Sequence, residues 1–518
     1  MLSVLWSQLL SVAKIVDIYQ CNISRQTMAD EDCEDRIKIF DTLINAGCCK
    51  RCALRYVGDT QTNYDEPEEN IKELYCKDLN NHNGHDEQQA FKKSKLNPCV
   101  ICLDLLQDAT IESMILSPEL DKVLEYDCDS FVNYISFPVS VLIREHSMEI
   151  FLKEKFPAFL EDHHIVPLNR AWSLSIQNKL AQKLKKKFDR NASLQVQFTT
   201  SYELEKEESS VIYHIEDKLK KSNGHNDILS RNTIGESLKT IDAAVFQKHV
   251  PIPPQTPAKP LVLDQVSYKH EHLFIAGRYC KYSRNLFQTP WILEDTVIKS
   301  SVQEIIFQAL DNIFNCGSLV FSSSGREDFD VRTLGRGRPF FIKICDPKIT
   351  KVSFEKFRSI EEAIRQTNLV KVRDLQFIDR KYVNNIKEGE QFKQKTYRAL
   401  CVVKQPENLQ IYIDKINNIS NIMLEQKTPI RVYHRRSSDV RKREIYKIKA
   451  RPVTGKNNLF ELDVVTQAGT YVKEFVHGDL GRTKPSLSDI IGGDVDILAL
   501  DVLDIHLDFP PSLESSKY

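Results

Sequence analysis

Five prolines fall within eleven residues near the middle of the chain, in the stretch VPIPPQTPAKP from Val250 to Pro260. Proline has a fixed φ and no backbone N–H, so this stretch excludes both an α-helix and a central strand. A chain of 518 residues is long enough for two to four domains of ordinary size. The stretch therefore predicts a linker over 251–260, which separates an N-terminal domain over 28–250 from a C-terminal domain over 261–518.

The two halves of the chain differ in charge. Residues 1–260 contain 31 Lys and Arg against 39 Asp and Glu, whereas residues 261–518 contain 40 against 33. Within the second half, residues 371–450 contain 19 basic and 9 acidic side chains. Clustered Lys and Arg gain free energy by displacing the counterions of a polyanion, so this composition indicates a nucleic-acid partner. The alternative is a lysine-rich face that is merely solvated.

Composition and termini narrow the class of protein. No run approaches the roughly eighteen apolar residues of a membrane-spanning helix, so we expect a soluble protein without a membrane partner. The apolar start MLSVLWSQLLSVAKIV lacks the basic region and cleavage site of a secretory signal. Residues 1–27 are therefore predicted to be an extension, either an amphipathic helix or a segment upstream of a working start at Met28. Thirteen irregularly spaced cysteines indicate a reducing compartment, namely the nucleus, the cytoplasm or the mitochondrion.

Two cysteine pairs carry a metal-binding signal. CCKRC places Cys49 and Cys52 in one CxxC turn, and NPCVIC places Cys99 and Cys102 in another. Two such turns present four thiolates to one ion, so the sequence predicts a closed, structural zinc site. Cys48 could take the place of Cys49 in the first turn. The alternatives are small buried cysteines that fall in pairs by chance, and a redox pair, which would need only one CxxC.

The region around the cysteines and the rest of the chain predict an α+β fold. DRIKIFDTLINAG has apolar residues at helical spacing and ends at Gly47. Residues 58–95 are acidic, amide-rich and poor in apolar side chains, which predicts a flexible insertion. Strand-like and helical runs are mixed from 97 to 250, whereas from 261 many short strands occur with few helices. The C-terminal domain is therefore predicted to contain a mainly antiparallel sheet.

The stretch SSSGREDFDVRTLGRGRPFF, from Ser322 to Phe341, combines acids, arginines and glycines. It predicts a buried strand and a Ser/Gly turn that presents Asp328 between Arg326 and Arg332, where nearby cations keep a carboxylate ionised as a nucleophile or base. The following RTLGRGRPF predicts a glycine-rich loop whose arginines bind phosphates; these are Arg332, Arg336 and Arg338. The alternative is a surface loop with paired charges.

Two later stretches add candidate site residues. KQKTYRALCVV places Tyr397 between two cations at the start of a strand. QAGTYVKEFVHGDLGRTKPSL places Tyr471 and Lys473 on a predicted strand that leads into a basic, glycine-rich loop. Each stretch also has an ordinary interpretation, because strand tyrosines usually pack in a core and strand lysines are usually solvated.

Taken together, these stretches resemble a known family. GRED, KTYR and GTYVK are similar to the three active-site motifs of pseudouridine synthases. The combination of AGRYCKYSRNLFQTPW, the acidic stretch, TPIRVYHRR and AGTYVKEFVHGDLGRTKPSL, preceded by two CxxC pairs, resembles the archaeal and eukaryotic tRNA pseudouridine synthase family ten. The likeness covers about residues 265 to 505 and the cysteine pairs.

The resemblance implies a function for several residues. Asp328 would be the catalytic aspartate, Tyr397 would stack on the flipped uracil, and Lys473 would pair with the aspartate in place of the arginine found in related families. No organic cofactor is implied. The substrate would be the T arm of tRNA, at U54, U55 or both, with other structured RNA as a further possibility, and the protein would act as a monomer.

The resemblance also implies a THUMP-like RNA-binding region in the N-terminal domain. Extruding a uridine from folded RNA costs a few kcal/mol, which phosphate contacts must offset. The basic stretches HRRSSDVRKR and GRTK suit that role. Their candidate RNA-binding residues are Arg435, Arg436, Arg441, Lys442, Arg443, Arg482 and Lys484, in addition to Arg326 and the three loop arginines.

Two other classes of protein fit part of the pattern. One is a zinc-containing RNA-binding adaptor whose catalytic residues are present but unused. The other is an RNA methyltransferase with a THUMP-like domain, which is disfavoured because no glycine loop for a methyl donor follows a strand. The intact set of Asp328, Tyr397 and Lys473 argues against the adaptor.

Overall fold

The computed structural model divides the chain into two compact units. It describes residues 34–58, 62–76, 97–158, 164–215, 231–293, 296–384, 386, 393–404, 408–435 and 437–513. The first unit extends to Lys269 without Tyr126–Cys128, and the second unit comprises Tyr126–Cys128 and the chain from His270 onward.

The first unit combines helices with a four-stranded sheet. Its strands are β1 (Ser130–Ser136), β2 (Lys187–Phe188), β3 (Leu194–Ser201) and β4 (Val262–His270), in the order β2-β1-β3-β4. Its helices are α1 (34–45), α2 (Lys50–Val57), α3 (Pro67–Cys76), α4 (Asp108–Ile115), α5 (Val139–Lys155), α6 (Leu168–Leu184), α7 (Glu205–Ile215), α8 (Arg231–Thr240) and α9 (Ala243–Gln247), with a 3-10 helix over Pro118–Glu125. Trp172 of α6 is fully buried and lies edge-on to Phe198 of β3, which fastens the helix to the sheet.

The proline-rich stretch belongs to the first unit and is not a linker. Ser147 Oγ donates to the carbonyl of Pro251 (2.6 Å), and Arg144 Nη1 donates to the carbonyl of Gln255 (2.8 Å). The chain then continues into β4, which adds to the first sheet. The predicted boundary over 251–260 is therefore wrong, because proline carbonyls remain acceptors and side chains of α5 satisfy them.

Part of the predicted flexible insertion has regular structure. Residues 62–76 contain α3, and Tyr64 ahead of it is fully buried. Arg51 of α2 holds this segment, since its Nε donates to the carbonyl of Tyr64 (2.6 Å). The prediction is thus wrong for 62–76, while 59–61 and 77–96 lie outside the described residues. The helix predicted before Gly47 is confirmed.

The second unit is built on one large sheet. Its strands are β5 (Leu273–Lys281), β6 (Trp291–Leu293), β7 (Thr296–Lys299), β8 (Cys316–Ser323), β9 (Arg332–Pro347), β10 (Val370–Phe377), β11 (Lys395–Val403), β12 (Ile422–Lys427), β13 (Val440–Pro452), β14 (Leu459–Thr466), β15 (Thr483–Lys484) and β16 (Val495–Ile505). The order is β10-β5-β9-β16-β11-β14-β13-β12-β15, with β8 also paired to β9, while β6 and β7 form a separate hairpin. All described ladders in the large sheet are antiparallel except β9 with β16. The prediction of an α+β fold with a mainly antiparallel sheet is confirmed.

Helices cover this sheet and complete two hydrophobic cores. They are α10 (Val302–Phe314), α11 (Phe354–Arg365), α12 (Leu409–Asn417), α13 (Val472–His477) and α14 (Leu487–Ile491), with 3-10 helices over Arg380–Tyr382 and Ile430–Arg435. One core joins α10 and α11 to alternate residues of β9, including Phe340 and Ile342. The other joins α13 and α14 to β14 and β11, where Leu462 and Val464 are fully buried. Among the described residues, none of the helices has the length and apolar character needed to span a bilayer.

Two stretches near the site adopt structures that the sequence did not predict. The predicted loop over Arg332–Arg338 is the first part of β9. A Cβ on Gly335 would lie 2.1 Å from the carbonyl oxygen of Leu503, so this glycine permits close strand approach rather than ligand binding. Lys473 lies on α13 and not on a strand, because Phe475 and Val476 pack into the core at helical spacing.

Candidate active site and metal centre

A polar pocket of about 760 Å³ in the second unit brings the three predicted motifs together. Asp328 enters it from the turn after β8, Tyr397 from β11, and Lys473 from α13. The other described lining residues include Arg326, Lys395, Arg431, Arg441, Arg443, Gly469 and Tyr471. Residues that are far apart in sequence thus share one cavity, as the motifs predicted.

Asp328 is paired with two cations at the edge of the pocket. Its Oδ2 accepts a hydrogen bond from Arg431 Nη1 (2.7 Å) and lies 3.6 Å from Lys473 Nζ. The side chain is 28% exposed, so a reacting group can reach it. A carboxylate that is hydrogen-bonded to a guanidinium and lies near an ammonium is held in a fixed orientation, as a nucleophile or base requires.

Arg431 is a site residue that the sequence reasoning missed. It lies on the 3-10 helix after β12, where its Nε and Nη2 contact the carboxylate of Glu474 (2.6 and 3.3 Å) while its Nη1 contacts Asp328. Glu474 is only 2% exposed and follows Lys473 directly on α13. The guanidinium therefore links the motif that contains Asp328 to the motif that contains Glu474. Its position in TPIRVYHRR, a stretch that resembles the family, could have indicated Arg431 as a site residue.

Lys473 makes its closest contact with Asp330, to which no role could be assigned from sequence. Its Nζ donates to both carboxylate oxygens of Asp330 (2.8 and 2.7 Å). Burial alone would raise the pKa of Asp330, but the hydrogen bond and charge of Lys473 outweigh it, so the pKa lies below the usual value. The lysine thus holds Asp330 strongly and Asp328 more loosely.

Tyr397 is half-buried and lines the pocket from β11. Burial raises the pKa of its phenol above the usual value, so the ring remains neutral at physiological pH. Its neighbour Arg398 turns to the other side of the strand and forms a bidentate pair with Asp463 (2.7 and 3.0 Å). Tyr397 therefore lines the pocket while packing against the core, and the adjacent Arg398 is not among the lining residues.

A buried lysine fixes the turn that carries Asp328. Lys281, at the end of β5, is fully buried, and its Nζ donates to the carbonyls of Leu286 (2.7 Å), Asp328 (3.0 Å) and Phe329 (2.9 Å). All three ammonium protons are thus used. Burial lowers the pKa of Lys281 to about 8. No local sequence pattern distinguishes this lysine, which supports the site, from the other lysines of the basic half.

Glu327 anchors the other side of this turn. It is buried and accepts from Arg338 Nε (2.7 Å) and from the hydroxyl of Tyr279 (2.9 Å to each oxygen). Gln288 Nε2 adds a bond to the same tyrosine (2.7 Å). Satisfied buried networks of this kind hold a backbone in one conformation. Glu327 is therefore a support, and Asp328 is the accessible one of the two described carboxylates that line the pocket.

Three arginines predicted to bind phosphate are occupied by carboxylates of the chain itself. Arg332 forms a bidentate pair with Asp501 (2.9 and 2.5 Å), and Arg338 is fully buried against Glu327. Arg336 contacts Asp504 (3.0 Å) and Asp508 (2.8 Å). The predicted loop is part of β9, and these side chains turn toward acids of the chain. Phosphate binding by the three arginines stays a prediction. Arg326 is exposed and does line the pocket.

The remaining predicted cations have different surroundings. Arg441 and Arg443 line the pocket, whereas Lys442 between them is 77% exposed and lies 3.7 Å from Glu425. Arg482 packs over the ring of Tyr433 and donates to the carbonyl of Thr428 (2.7 Å). Lys484 is exposed on β15. Arg435 ends the 3-10 helix, and Arg436 lies outside the described residues.

In the first unit, the four predicted cysteines form one buried cluster. The Sγ atoms of Cys49, Cys52, Cys99 and Cys102 all lie within 4.8 Å of one another. The backbone N–H of Cys49 donates to Cys99 Sγ (3.2 Å), so the two turns are also joined by a hydrogen bond. Cys48 is not one of the four, which resolves the ambiguity of the first turn.

The geometry and chemistry of the cluster fit a metal ion. Cys49 Sγ and Cys102 Sγ are 3.8 Å apart. Neighbouring sulfurs in a tetrahedral site with metal–sulfur bonds of about 2.3 Å are separated by about the same distance. Burial raises the pKa of the Cys52 and Cys102 thiols, so four thiolates here would need a cation to balance them.

Two family models match most of the chain. The model "Pus10, C-terminal" matches residues 274–506, and the model "Eukaryotic Pus10, N-terminal" matches residues 99–268. The first range contains all residues of the polar pocket. The second contains one of the two CxxC turns.

Relatives of nearly equal length carry the same family name. The chain is 33% identical over 496 residues to the putative tRNA pseudouridine synthase Pus10 of Drosophila melanogaster, covering 93% of this chain and 99% of that protein. It is 32% identical over 527 residues to the tRNA pseudouridine synthase Pus10 of Homo sapiens, with the same coverage. A solved Cbf5-Nop10-Gar1 complex has 15% identity and a TM-score of 0.23 over 44% of this chain and 47% of that one, an overlap that does not by itself establish a shared fold. From the two models and the full-length relatives, the chain belongs to the Pus10 family of pseudouridine synthases.

Proposed function

We propose that this protein converts uridine to pseudouridine in the T arm of tRNA, at U54, U55 or both, with Asp328 as the catalytic acid group. The observation that carries the proposal is the position of Asp328, which is partly exposed at the pocket and held by Arg431 and Lys473. The names of the relatives support tRNA as the substrate class.

The reaction is an isomerisation and needs no organic cofactor. The bond between the ribose and a uracil nitrogen breaks, the base turns within the pocket, and a ribose–carbon bond forms. A proton then passes from that carbon to the released nitrogen, so atoms and charge balance. Asp328 starts this sequence by attack on the ribose or the base, or by removal of a sugar proton. The bond that it forms, or the proton that it takes, is released again before the product leaves, so the carboxylate is regenerated.

Each neighbour of Asp328 has a defined part in this scheme. Arg431 and Lys473 orient the carboxylate before reaction, which lowers the cost of reorganisation. Tyr397 stacks on the extruded uracil, because base–aromatic stacking offsets part of the cost of flipping. Lys281 holds the backbone at Asp328 and Phe329, so the turn does not move as the base enters.

The Asp328→Asn variant tests the catalytic assignment. Asn has nearly the same shape but can neither attack nor accept a proton, so we expect pseudouridine formation to be abolished while tRNA binding stays within a few fold. Carbodiimide primer-extension mapping reports product at each uridine, and substrates lacking U54 or U55 identify the target. Pseudouridine formation by the variant would refute the role of Asp328.

The same experiment separates the enzyme from an RNA-binding adaptor. An adaptor would bind tRNA, yet the wild-type protein would form no pseudouridine. The pocket favours the enzyme, because the acid and its two cations are in place.

We further propose that the cysteine cluster holds a structural zinc ion and that the first unit is a THUMP-like RNA-binding region. The closed set of four buried thiols supports zinc, since no coordination position is left for a substrate. RNA binding is supported by cations around β2, including Lys185, Lys186, Lys187 and Arg190. Zinc analysis by emission spectroscopy and tRNA binding by the Lys186→Gln/Lys187→Gln variant test the two parts separately.

A further inference from the structure

The pocket has a second end, which the catalytic residues do not use. Arg441 and Arg443 lie two positions apart on β13, so both side chains leave the same face of the strand and line the pocket. Lys442 lies between them and is 77% exposed beside Glu425. The strand therefore divides three consecutive cations into two that face the pocket and one that does not.

Arg443 is not neutralised by the protein. Among the described residues it has no carboxylate within ion-pair distance, and its Nη1 donates to the backbone carbonyl of Lys442 (2.8 Å). Its Nε is buried and has no hydrogen-bond partner in the described part of the chain. Leaving a buried donor without a partner is costly, so such an arginine indicates a ligand that completes its hydrogen bonds.

Arg441 is only weakly neutralised. Its Nη2 lies 3.4 Å from Asp439, and its Nη1 contacts the hydroxyl of Tyr471 at a long 3.5 Å. Tyr471 is the residue before α13, so Arg441 contacts the residue that leads into the helix carrying Lys473. The two ends of the pocket are thus joined by a segment of three residues.

The cations at the two ends differ in how far carboxylates of the chain neutralise them. At the catalytic end, Arg338, Arg431 and Lys473 are each paired with carboxylates, which are those of Glu327, Asp328, Asp330 and Glu474. These three cations are therefore already balanced by the chain itself. The end formed by Arg441 and Arg443 has two guanidinium groups and little to balance them, which favours an anion.

We propose that Arg441 and Arg443 form a subsite for the phosphodiester next to the extruded uridine. The inference rests on the proposed function and adds the place at which the protein binds the RNA backbone. With the phosphate held at β13, the uracil extends toward Asp328 and Tyr397 at the catalytic end of the pocket. Arginine suits this role because its planar fork matches phosphate oxygens.

The test pairs protein variants with single neutral linkages in the RNA. A set of T-arm stem-loop RNAs carries one methylphosphonate at a time around the target uridine, and each RNA is titrated against wild type, Arg441→Gln, Arg443→Gln and Lys442→Gln by fluorescence anisotropy. Melting curves of all four proteins verify folding. Arg443→Lys, which keeps the charge but loses the fork, is the conservative variant.

Each protein variant combined with each neutral linkage forms a double-mutant cycle. A direct contact between an arginine and one phosphate has a distinct result in this cycle. With unmodified RNA, we expect Arg443→Gln and Arg441→Gln each to raise Kd by about 10-fold, and Lys442→Gln to change it by less than about 2-fold. One neutral linkage should weaken wild type and Lys442→Gln by about 10-fold but leave Arg443→Gln almost unaffected, because the contact is already lost. Arg443→Lys should lie between wild type and Arg443→Gln.

The subsite would be overturned if the variant and the neutral linkage weakened RNA binding additively at every linkage. It would also be overturned if Lys442→Gln raised Kd as much as Arg443→Gln. The measurement needs no turnover, so it is independent of the catalytic assignment. If wild type forms no pseudouridine and the cycle still shows coupling, the proposed function fails and the phosphate subsite stands. If wild type is active and no linkage couples to either arginine, only the subsite fails.

Discussion

At the scale of single residues, Arg431 contacts two acids that have different environments. Asp328 is partly exposed, whereas Glu474 is buried and uses two of the guanidinium nitrogens. The arginine therefore supports the fold through Glu474 and the chemistry through Asp328. A substitution at this position has two effects, and they can be separated.

We expect Arg431→Gln to lower both stability and rate. Glu474 would be left buried without its cation, which costs about 3 to 5 kcal/mol. Loss of the oriented cation at Asp328 should slow pseudouridine formation on the order of 100-fold. The Arg431→Gln/Glu474→Gln double variant removes the buried acid as well, so it should recover melting temperature but not rate. Recovery of rate in the double variant would show that Arg431 acts only through stability.

We expect Lys281→Met to slow the chemical step more than it weakens RNA binding. Methionine fills similar volume but leaves the carbonyls of Asp328 and Phe329 without donors, so the catalytic turn loses its position. Single-turnover rates should fall by about 10-fold or more, with Kd for tRNA within a few fold. The matched control is Arg278→Met on the same strand, because Arg278 donates to the carbonyls of Leu507 and Phe509 instead. An equal loss of rate in both variants would contradict a specific role for Lys281.

The pH dependence of the free energy of unfolding provides a second test of Lys281, because it reports the lowered pKa of the buried ammonium. Burial lowers its pKa to about 8, below the 10.5 of an unfolded chain. Between these values the unfolded chain binds a proton that the folded chain does not, so the stability of wild type rises with pH in this window. The Lys281→Met variant lacks this dependence. The melting-temperature difference between wild type and variant should therefore shift in favour of wild type from pH 8 to pH 10.

At the scale of elements, the start of β9 decides which arginines can meet RNA. Gly335 and Gly337 have φ values of +60° and +81°, and both lie against neighbouring backbone. Their lack of a Cβ lets β9 lie close to both β16 and β5. Arg332 meets Asp501 because the two residues are partners in the β9–β16 ladder. The glycines thus build the sheet beneath the pocket and do not form a phosphate-binding loop.

We expect Gly335→Ala to destabilise the second unit severely. A Cβ there would lie 2.1 Å from the carbonyl oxygen of Leu503, so β16 must move, at a cost of about 3 kcal/mol or more. Gly455→Ala is the matched control, because Gly455 also has a positive φ (+74°) but nothing lies within 4 Å of its Cβ position. The control should lose only about 1 kcal/mol, the cost of a left-handed alanine. Equal melting temperatures for the two variants would refute the steric explanation.

At the scale of the whole molecule, the chain forms two units, and each unit has its own stabilising features. The first contains the cysteine cluster, and the second contains the pocket and both cores of the large sheet. Tyr126–Cys128 belong to the second unit, where the Tyr126 hydroxyl donates to Asp346 (2.9 Å). The chain therefore passes between the units three times, and no single linker separates them.

We expect Cys99→Ser to lose zinc and to destabilise the first unit alone. A structural zinc site of four thiolates contributes on the order of 10 kcal/mol to folding, and serine cannot replace a thiolate ligand. Scanning calorimetry should show an early transition for the first unit and an unchanged transition for the second. Cys48→Ser, which alters a buried neighbour outside the cluster, should keep its zinc. Zinc retained by Cys99→Ser would refute the site.

The sequence by itself determined the class of fold, the four cysteines and the motif residues of the pocket. Those features depend on local pattern: alternating apolar residues predict strands, CxxC predicts a metal-binding turn, and the order of motifs resembles one family. These patterns are readable because each is set by residues close together in the chain.

Only the tertiary structure decided which charges are free and which are paired. The predicted phosphate-binding arginines Arg332, Arg336 and Arg338 each meet a carboxylate. Three of the four partner carboxylates come from a segment about 170 residues later in the chain, and these are Asp501, Asp504 and Asp508. Arg431 and Lys281 looked like ordinary basic residues, but folding brings them to the turn of Asp328. Local sequence pattern determined the class of fold, and long-range register decided each charge's partner, because an ion pair depends on distance in space and not on separation along the chain.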